Sequence, residues 1–168
     1  MDSVQYLSRG LAGVAVWMAC ACACAAPQGY VGTFRCDRPP LGLKLPPTYR
    51  ALRKLAPIEA EQVIDAEETD GADIERRFIS FKGLELALIL FADEPDRYLV
   101  EVAVVTAPHW RFTGPLHVGL SVEAARQRLR HVRAVPDRAL GFGSEGGNVT
   151  LKQAQGKVVE IAYSCYVG

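Results

Sequence analysis

Three strand candidates follow one another in the middle of the chain, and the turns between them allow only antiparallel pairing. Ile74–Phe81, Leu84–Phe91 and Arg97–Val105 are rich in Ile, Leu, Val and Phe. They are separated by Lys82-Gly83 and by Asp93-Glu94-Pro95-Asp96. Parallel strands need a crossover of about a dozen residues or more. The spacing therefore predicts an antiparallel meander.

The stretch Leu116–Gly168 predicts a helix followed by three short strands. Ser121 is placed as the N-cap of the helix, Glu123 lies near the positive end of its dipole, and Pro136 ends it. Alternation along the last strand predicts that every second side chain points to the core. The strands are expected near Ala139–Phe142, Asn148–Gln153 and Lys157–Cys165, with Val159, Ile161, Tyr163 and Cys165 facing inward.

A shorter helix is predicted ahead of the central meander. Thr48 is its expected N-cap, apolar residues recur at helical spacing from Tyr49 to Leu55, and Pro57 stops it. The segment Ile58–Asp73 is strongly acidic and has little apolar content. We interpret that segment as a second helical turn and an acidic loop.

The two halves of the chain, about residues 41–105 and 116–168, share one order of elements. Each has a glycine-containing lead-in, a short helix and three strands. The order predicts an α+β fold in which tandem αβββ repeats form one antiparallel sheet with the helices on one face. Residues 26–168 are then a single domain.

Two motifs of the second half carry a family resemblance. They are the helix entry Val118-Gly119-Leu120-Ser121-Val122-Glu123 and the strand Gly156-Lys157-Val158-Val159-Glu160-Ile161. With the order of elements, they resemble the tandem-repeat β-lactamase-inhibitor-protein-like (BLIP-like) fold and the single-repeat envelope lipoproteins of the SmpA/OmlA type. The resemblance implies protein binding by the open sheet face or by loops, and no catalysis.

Residues 1–25 have the layout of a signal peptide. An uncharged, alanine-rich run follows a short N-terminal region with one basic side chain, and Ala23-Cys24-Ala25 offers a small-x-small cleavage site. The sequence leaves two alternatives open. The run is a membrane anchor, or the mature chain is lipid-modified at Cys20, Cys22 or Cys24.

Cleavage after Ala25 leaves two cysteines in the mature chain, Cys36 and Cys165. An even pair in an exported protein predicts a disulfide, which would close a loop spanning most of the domain. Two buried free thiols are the alternative.

Charge and motifs argue against several ligand classes. The formal net charge is zero, so strong electrostatic attraction to nucleic acid or an anionic membrane is not expected. The segment Gly141–Gly146 matches GxGxxG, but strand-like residues follow it where a dinucleotide site needs a helix. The histidines have no spacing that brings two imidazoles to one metal. We expect no cofactor and no metal.

Two groups of residues are candidates for binding a partner. The acidic residues Glu67, Glu68 and Asp70 offer a concentrated negative surface that would attract a basic protein. Trp110, Arg111 and Phe112 form a dense aromatic cluster, and interfaces favour Trp and Arg. The alternatives are that the acids keep a loop soluble and that Trp110 fills the junction between the repeats.

The sequence thus predicts an exported, periplasmic or secreted, non-enzymatic domain that binds another protein, as an inhibitor or immunity-type protein does. A structural envelope protein or lipoprotein that supports outer-membrane assembly is the alternative. An enzyme that uses a carboxylate pair is a third class, and no catalytic motif in the sequence supports it.

Overall fold

The computed structural model describes residues 42–69, 72–110, 116–130, 133–134, 140–144 and 147–165. These residues form one eight-stranded antiparallel sheet and two short helices. The elements are α1 (Tyr49–Leu52), β1 (Ile58–Thr69), β2 (Ala72–Phe81), β3 (Leu84–Phe91), β4 (Tyr98–Val105), α2 (Val122–Leu129), β5 (Arg133–Ala134), β6 (Gly141–Ser144), β7 (Gly147–Ala154) and β8 (Lys157–Cys165).

The strand order across the sheet is β1-β2-β3-β4-β8-β7-β6-β5. Each half of the chain is an antiparallel meander, and the last strands of the two meanders, β4 and β8, pair at the centre. The edges are therefore formed by the first strand of each half, β1 and β5. The three strands predicted in the middle of the chain are confirmed as β2, β3 and β4.

The predicted α+β class with repeated αβββ units is wrong. The described chain is mostly β, because its helices have only four and eight residues and each helix precedes four strands. The extra strand of the first half is β1, which covers the segment expected to be a helical turn and acidic loop. The extra strand of the second half is the two-residue β5, where the sequence predicted the end of a helix.

Strand β1 was missed because its composition is poor for a strand. Glutamate and aspartate are depleted in strands, but strand preference depends strongly on context. At the edge of a sheet a charged strand keeps its side chains in water while its backbone pairs with one neighbour. Pairing with strand β2 along almost its whole length thus overrides the local preference of β1.

Both predicted N-caps are confirmed. The Thr48 hydroxyl accepts from the Ala51 N–H at 3.3 Å, and the Ser121 hydroxyl accepts from the Ala124 N–H at 3.2 Å. A two-residue turn joins β7 and β8, with positive φ at both Gln155 (50°) and Gly156 (73°). Positive φ at both central residues defines the hairpin turn whose twist matches that of the flanking strands.

The hydrophobic core lies on one face of the sheet, which we call the helix face. Residues that pair across neighbouring strands share a face, so the register assigns Leu86, Ala103 and Tyr163 to one row of this face. Helix α1 adds Tyr49 and Leu52 to the core, and α2 adds Ala125 and Leu129. Burial of this face in both halves makes one continuous core.

The predicted inward face of the last strand is partly wrong. Ile161, Tyr163 and Cys165 are buried, but Val159 is 41% exposed and Val158 is fully buried. The register between β7 and β8 shifts at this point, because Glu160 pairs with Lys152 and Val158 with Gln153. The extra residue, Val159, forms a bulge that reverses the alternation.

Several predictions fall outside the described residues. They include the signal peptide 1–25, the candidate lipid sites Cys20, Cys22 and Cys24, and one end of the predicted disulfide, Cys36. Cys165 is buried at the end of β8 and takes part in a disulfide. Its pairing with Cys36 stays a prediction, since every other cysteine lies within residues 1–41.

Candidate functional site

Trp110 lies in the core rather than on the surface. Its side chain is 8% exposed, its indole N–H donates to the Lys82 carbonyl at 3.0 Å, and its ring lies 5.9 Å from that of Phe81. The tryptophan therefore packs beneath the turn between β2 and β3 and offers little surface to a partner. Arg111 and Phe112, predicted to join it, lie outside the described residues.

The predicted acidic candidates lie at one edge of the sheet. Glu67 and Glu68 belong to β1, where their backbones pair with Ile74 and Asp73 of β2. Asp70 lies outside the described residues. The negative surface proposed from sequence is thus a strand edge instead of a loop, a geometry that composition did not indicate.

A charged cluster fixes α1 to the first two strands. The Glu61 carboxylate accepts a hydrogen bond from the Tyr49 hydroxyl, one from Arg77 Nη1 at 2.9 Å and one from Arg53 Nε at 3.1 Å. Arg77 also donates to Glu75 through Nε at 2.6 Å. We call these five residues the Glu61 cluster. Sequence reasoning missed it because its members come from three elements.

The Glu61 cluster keeps its groups in fixed charge states. Burial raises the pKa of Glu61, but hydrogen bonds from Tyr49 and Arg77 outweigh burial and lower the pKa below its ordinary value. Burial and the hydrogen bond to Glu61 raise the pKa of Tyr49. A general acid or base works best with a pKa near the operating pH. These shifts lead away from neutrality, so the cluster suits a structural clamp better than proton transfer.

The sheet face opposite the helices, which we call the far face, has a different composition in each half. One row across it joins Gln62, Phe78, Ala87, Val102, Ser164 and Asn148 from β1 to β7. The row is apolar over β2, β3 and β4 and becomes polar from β8 onward. In the polar half, the Asn148 amide donates to the Ser164 hydroxyl at 2.9 Å, and Lys152 pairs with Glu160 at 2.8 Å.

The apolar half of the far face forms a contiguous set that is separate from the core. All its members except Ile89 are half-buried, and none belongs to the core cluster or packs against it. Among the described elements, both helices lie on the other face. We call this set the apolar patch: Ile74, Phe78, Ala87, Ile89, Phe91, Leu99, Val102, Val104 and Ala162.

Charged side chains lie across the apolar patch and at one end of it. Arg76 on β2 lies 3.7 Å from Asp65 on β1 and 3.7 Å from Glu101 on β4. The pair with Glu101 must cross β3, where Ile89 is the register partner of Arg76 and is 3% exposed. The guanidinium of Arg97 lies over the Phe91 ring at 4.3 Å. The Arg76–Glu101 pair thus crosses the patch over Ile89, and Arg97 lies at one end of the patch.

Other sequence motifs have no site geometry in the described residues. The GxGxxG match begins in β6 and runs toward β7, so it joins two strands of a hairpin and not a strand to a helix. Within the ranges that the structure describes, no three His, Cys, Asp or Glu side chains form a group that could hold a metal ion. In the same ranges, no helix is long and apolar enough to cross a membrane.

Comparison with protein-family models, curated proteins and solved structures gave no match. The geometry of the described residues is therefore what supports a functional proposal.

Proposed function

We propose that this chain is an exported, non-enzymatic domain that binds another protein through the apolar patch of its far face. The observation that carries the proposal is the patch itself, a set of apolar side chains on strands β2, β3, β4 and β8 that are half-buried except for Ile89 and lie outside the main core cluster. Contiguous apolar surface that stays partly accessible to solvent is a feature of interaction sites.

The chemistry of the patch suits a protein partner. Protein interfaces combine an apolar, aromatic centre with a polar rim. Phe78 and Phe91 supply aromatic surface, and Arg76 and Arg97 place guanidinium groups beside it. The flat surface of paired strands would meet a broad surface of the partner, of the kind that an inhibitor or immunity protein covers.

Cross-linking in the producing cell tests the location of the site. A photoreactive phenylalanine analogue at Phe78 or Val104 is expected to capture one discrete protein. The same analogue at Leu55, which is 37% exposed on the helix side of the sheet, is expected to capture none. Equal capture from Leu55 would overturn the proposal.

A matched pair of substitutions tests the apolar character of the site. Val102 and Ser164 are register partners on the same row of the far face, and both are half-buried. Val102→Asp is expected to abolish capture at Phe78, because it places a charge in the apolar centre. Ser164→Asp places the same charge in the polar half and is expected to preserve capture. Circular dichroism of both variants controls for folding.

Export is part of the proposal and has its own test. Mass spectrometry of the mature N-terminus is expected to find Ala26 as the first residue. A lipid on Cys20, Cys22 or Cys24 would instead favour an anchored envelope protein.

A further inference from the structure

We propose that the outer edge of β1 binds a basic, extended segment of a partner protein as an added β-strand. This inference is independent of the apolar patch, because it concerns backbone groups at the sheet edge and not the far face. The proposed segment binds by backbone pairing and is positively charged.

Strand β1 is long for an edge strand. Among the described strands, β1 pairs only with β2 and ends the sheet, and it has twelve residues. The opposite edge, β5, has two. Proteins usually keep edge strands short, since an edge presents a row of unpaired N–H and C=O groups to any extended chain. Strand β1 is a long row of such groups.

The edge strand β1 is also strongly acidic. Strand β1 has the sequence IEAEQVIDAEET, with five acidic residues and no basic one. Of the acids with described side chains, Glu61 is held in its cluster, Asp65 is exposed and lies 3.7 Å from Arg76, and Glu59 is exposed. An added strand would place its side chains about 5 Å from those of β1, where opposite charges stabilise and like charges destabilise. Lysine and arginine are therefore the complementary residues.

The charges of β1 disfavour a second copy of this chain as the added strand. Antiparallel pairing of two copies around Val63 and Ile64 would bring Glu59 of each copy opposite Glu68 of the other. Parallel pairing in register would place every acid beside its own counterpart. Both arrangements set like charges against each other. A basic segment from a different protein meets no such repulsion.

Two exposed aliphatic side chains lie at the middle of the edge. Val63 and Ile64 are 51% and 55% exposed, which is unusual for large aliphatic side chains in this chain. The register shift between Val63 and Asp65 makes Ile64 the extra residue of a bulge. A segment that combines basic residues with aliphatic ones would cover both side chains and pair with the acids on either side.

A peptide that alternates lysine and valine is the probe. Its binding to the purified chain, followed by fluorescence anisotropy, is expected to be at least about tenfold tighter than that of a peptide that alternates glutamate and valine. The same lysine peptide with an N-methyl group on every backbone nitrogen keeps the charge but has no N–H to donate to β1 from either edge. We expect it to bind about tenfold more weakly than its parent.

Substitutions in β1 complete the test. The Ala66 N–H donates to the Asp65 carboxylate at 2.9 Å, and an added strand would compete with that carboxylate for this N–H. Ala66→Pro removes it and should weaken binding about tenfold, whereas Ala66→Val keeps the N–H and should not. Val102→Asp, in the apolar patch, should leave peptide binding unchanged, so that this inference and the proposed function fail separately.

Three results would overturn the inference. They are no binding of the lysine peptide, equal binding of the lysine and glutamate peptides, or equal binding of the N-methylated and parent peptides. The last result would show that charge attraction alone holds the peptide, without strand pairing. The N-methylated peptide keeps the test decisive even where Ala66→Pro fails to fold.

Discussion

The two halves of the sheet have the same order of elements, one short helix followed by four strands, yet they distribute charge differently. In the N-terminal half, the helix face contains the Glu61 cluster, and the far face combines the apolar patch with the ion pairs of Arg76. In the C-terminal half, the helix face is apolar through Val149 and Leu151, and the far face bears hydrogen-bonded and ion-paired side chains. One strand order thus accommodates two distributions of polarity.

The strands next to the edges show the difference best. Strands β2 and β6 are each second from an edge of the sheet. On the helix face, β2 holds Arg77 in a network with Glu61 and Glu75, whereas β6 holds the buried ring of Phe142. An apolar helix face needs no ion pairs, and a polar far face leaves little apolar surface for a partner. The difference is the reason that the partner site we propose lies in the N-terminal half.

Phe142→Ala should have the largest effect on stability. Phe142 is 9% exposed in the core, and truncating a buried phenylalanine costs about 3–5 kcal/mol of unfolding free energy. Urea denaturation measures the loss, which should be the same at pH 7 and pH 4 because no charge changes. A loss below about 1 kcal/mol would show that β6 contributes little to the core.

Arg77→Met, at the matching strand of the other half, should cost less. It keeps much of the side-chain length but leaves Glu61 and Glu75 without their shared cation. Because the pair is only partly buried, we expect a loss of about 2–3 kcal/mol at pH 7, measured in the same way. A loss as large as that of Phe142→Ala would mean that the Glu61 cluster is as important as the core.

Glu61→Gln should have a smaller effect that depends on pH. The folded-state pKa of Glu61 lies below its ordinary value, so its carboxylate stabilises the fold above the unfolded-state pKa of about 4.3. That stabilisation is lost as the pH falls through the folded-state pKa. We expect the variant to be about 1–2 kcal/mol less stable than the parent at pH 7. The difference should shrink below pH 4, and urea titrations across this range measure it.

The matched control for Glu61→Gln is Phe142→Ala, whose deficit should not change with pH. A deficit of Glu61→Gln that stayed constant down to pH 3 would show that the pKa of Glu61 is the same in the folded and unfolded states, contrary to the lowering described above.

Local sequence signals account for part of this fold. Short turns between apolar runs predicted β2, β3 and β4, and hydroxyl caps predicted both helix starts, because these signals act over a few residues. Strand β1 and the bulge at Val159 could not be predicted, because both depend on pairing with another strand. The candidate sites depend on strand pairing in the same way. The acids of β1 were visible in the sequence, but the edge and the apolar patch exist only once the strands are in register.

The two faces can be compared at adjacent residues. Val105 is 2% exposed in the core, whereas Val104 is half-buried in the apolar patch. Val105→Thr places a hydroxyl in the core and should cost about 1–2 kcal/mol. Val104→Thr should cost less than about 0.5 kcal/mol, since threonine suits a half-exposed strand position. Thermal or urea unfolding of both variants measures the difference. Equal losses would show that the far face is packed as tightly as the helix face.

Gln155→Asn should have the smallest effect, and it should stabilise the protein. Gln155 has a φ of 50° in the turn between β7 and β8, a conformation in which most side chains are strained by about 1 kcal/mol and asparagine is better tolerated. We expect a gain of about 0.5 kcal/mol in unfolding free energy. Gln153→Asn, at an exposed strand position two residues away, is the control and should give no gain. A gain restricted to Gln155 would show that backbone conformation in this turn, and not the side chain's polarity, limits the stability of the C-terminal hairpin.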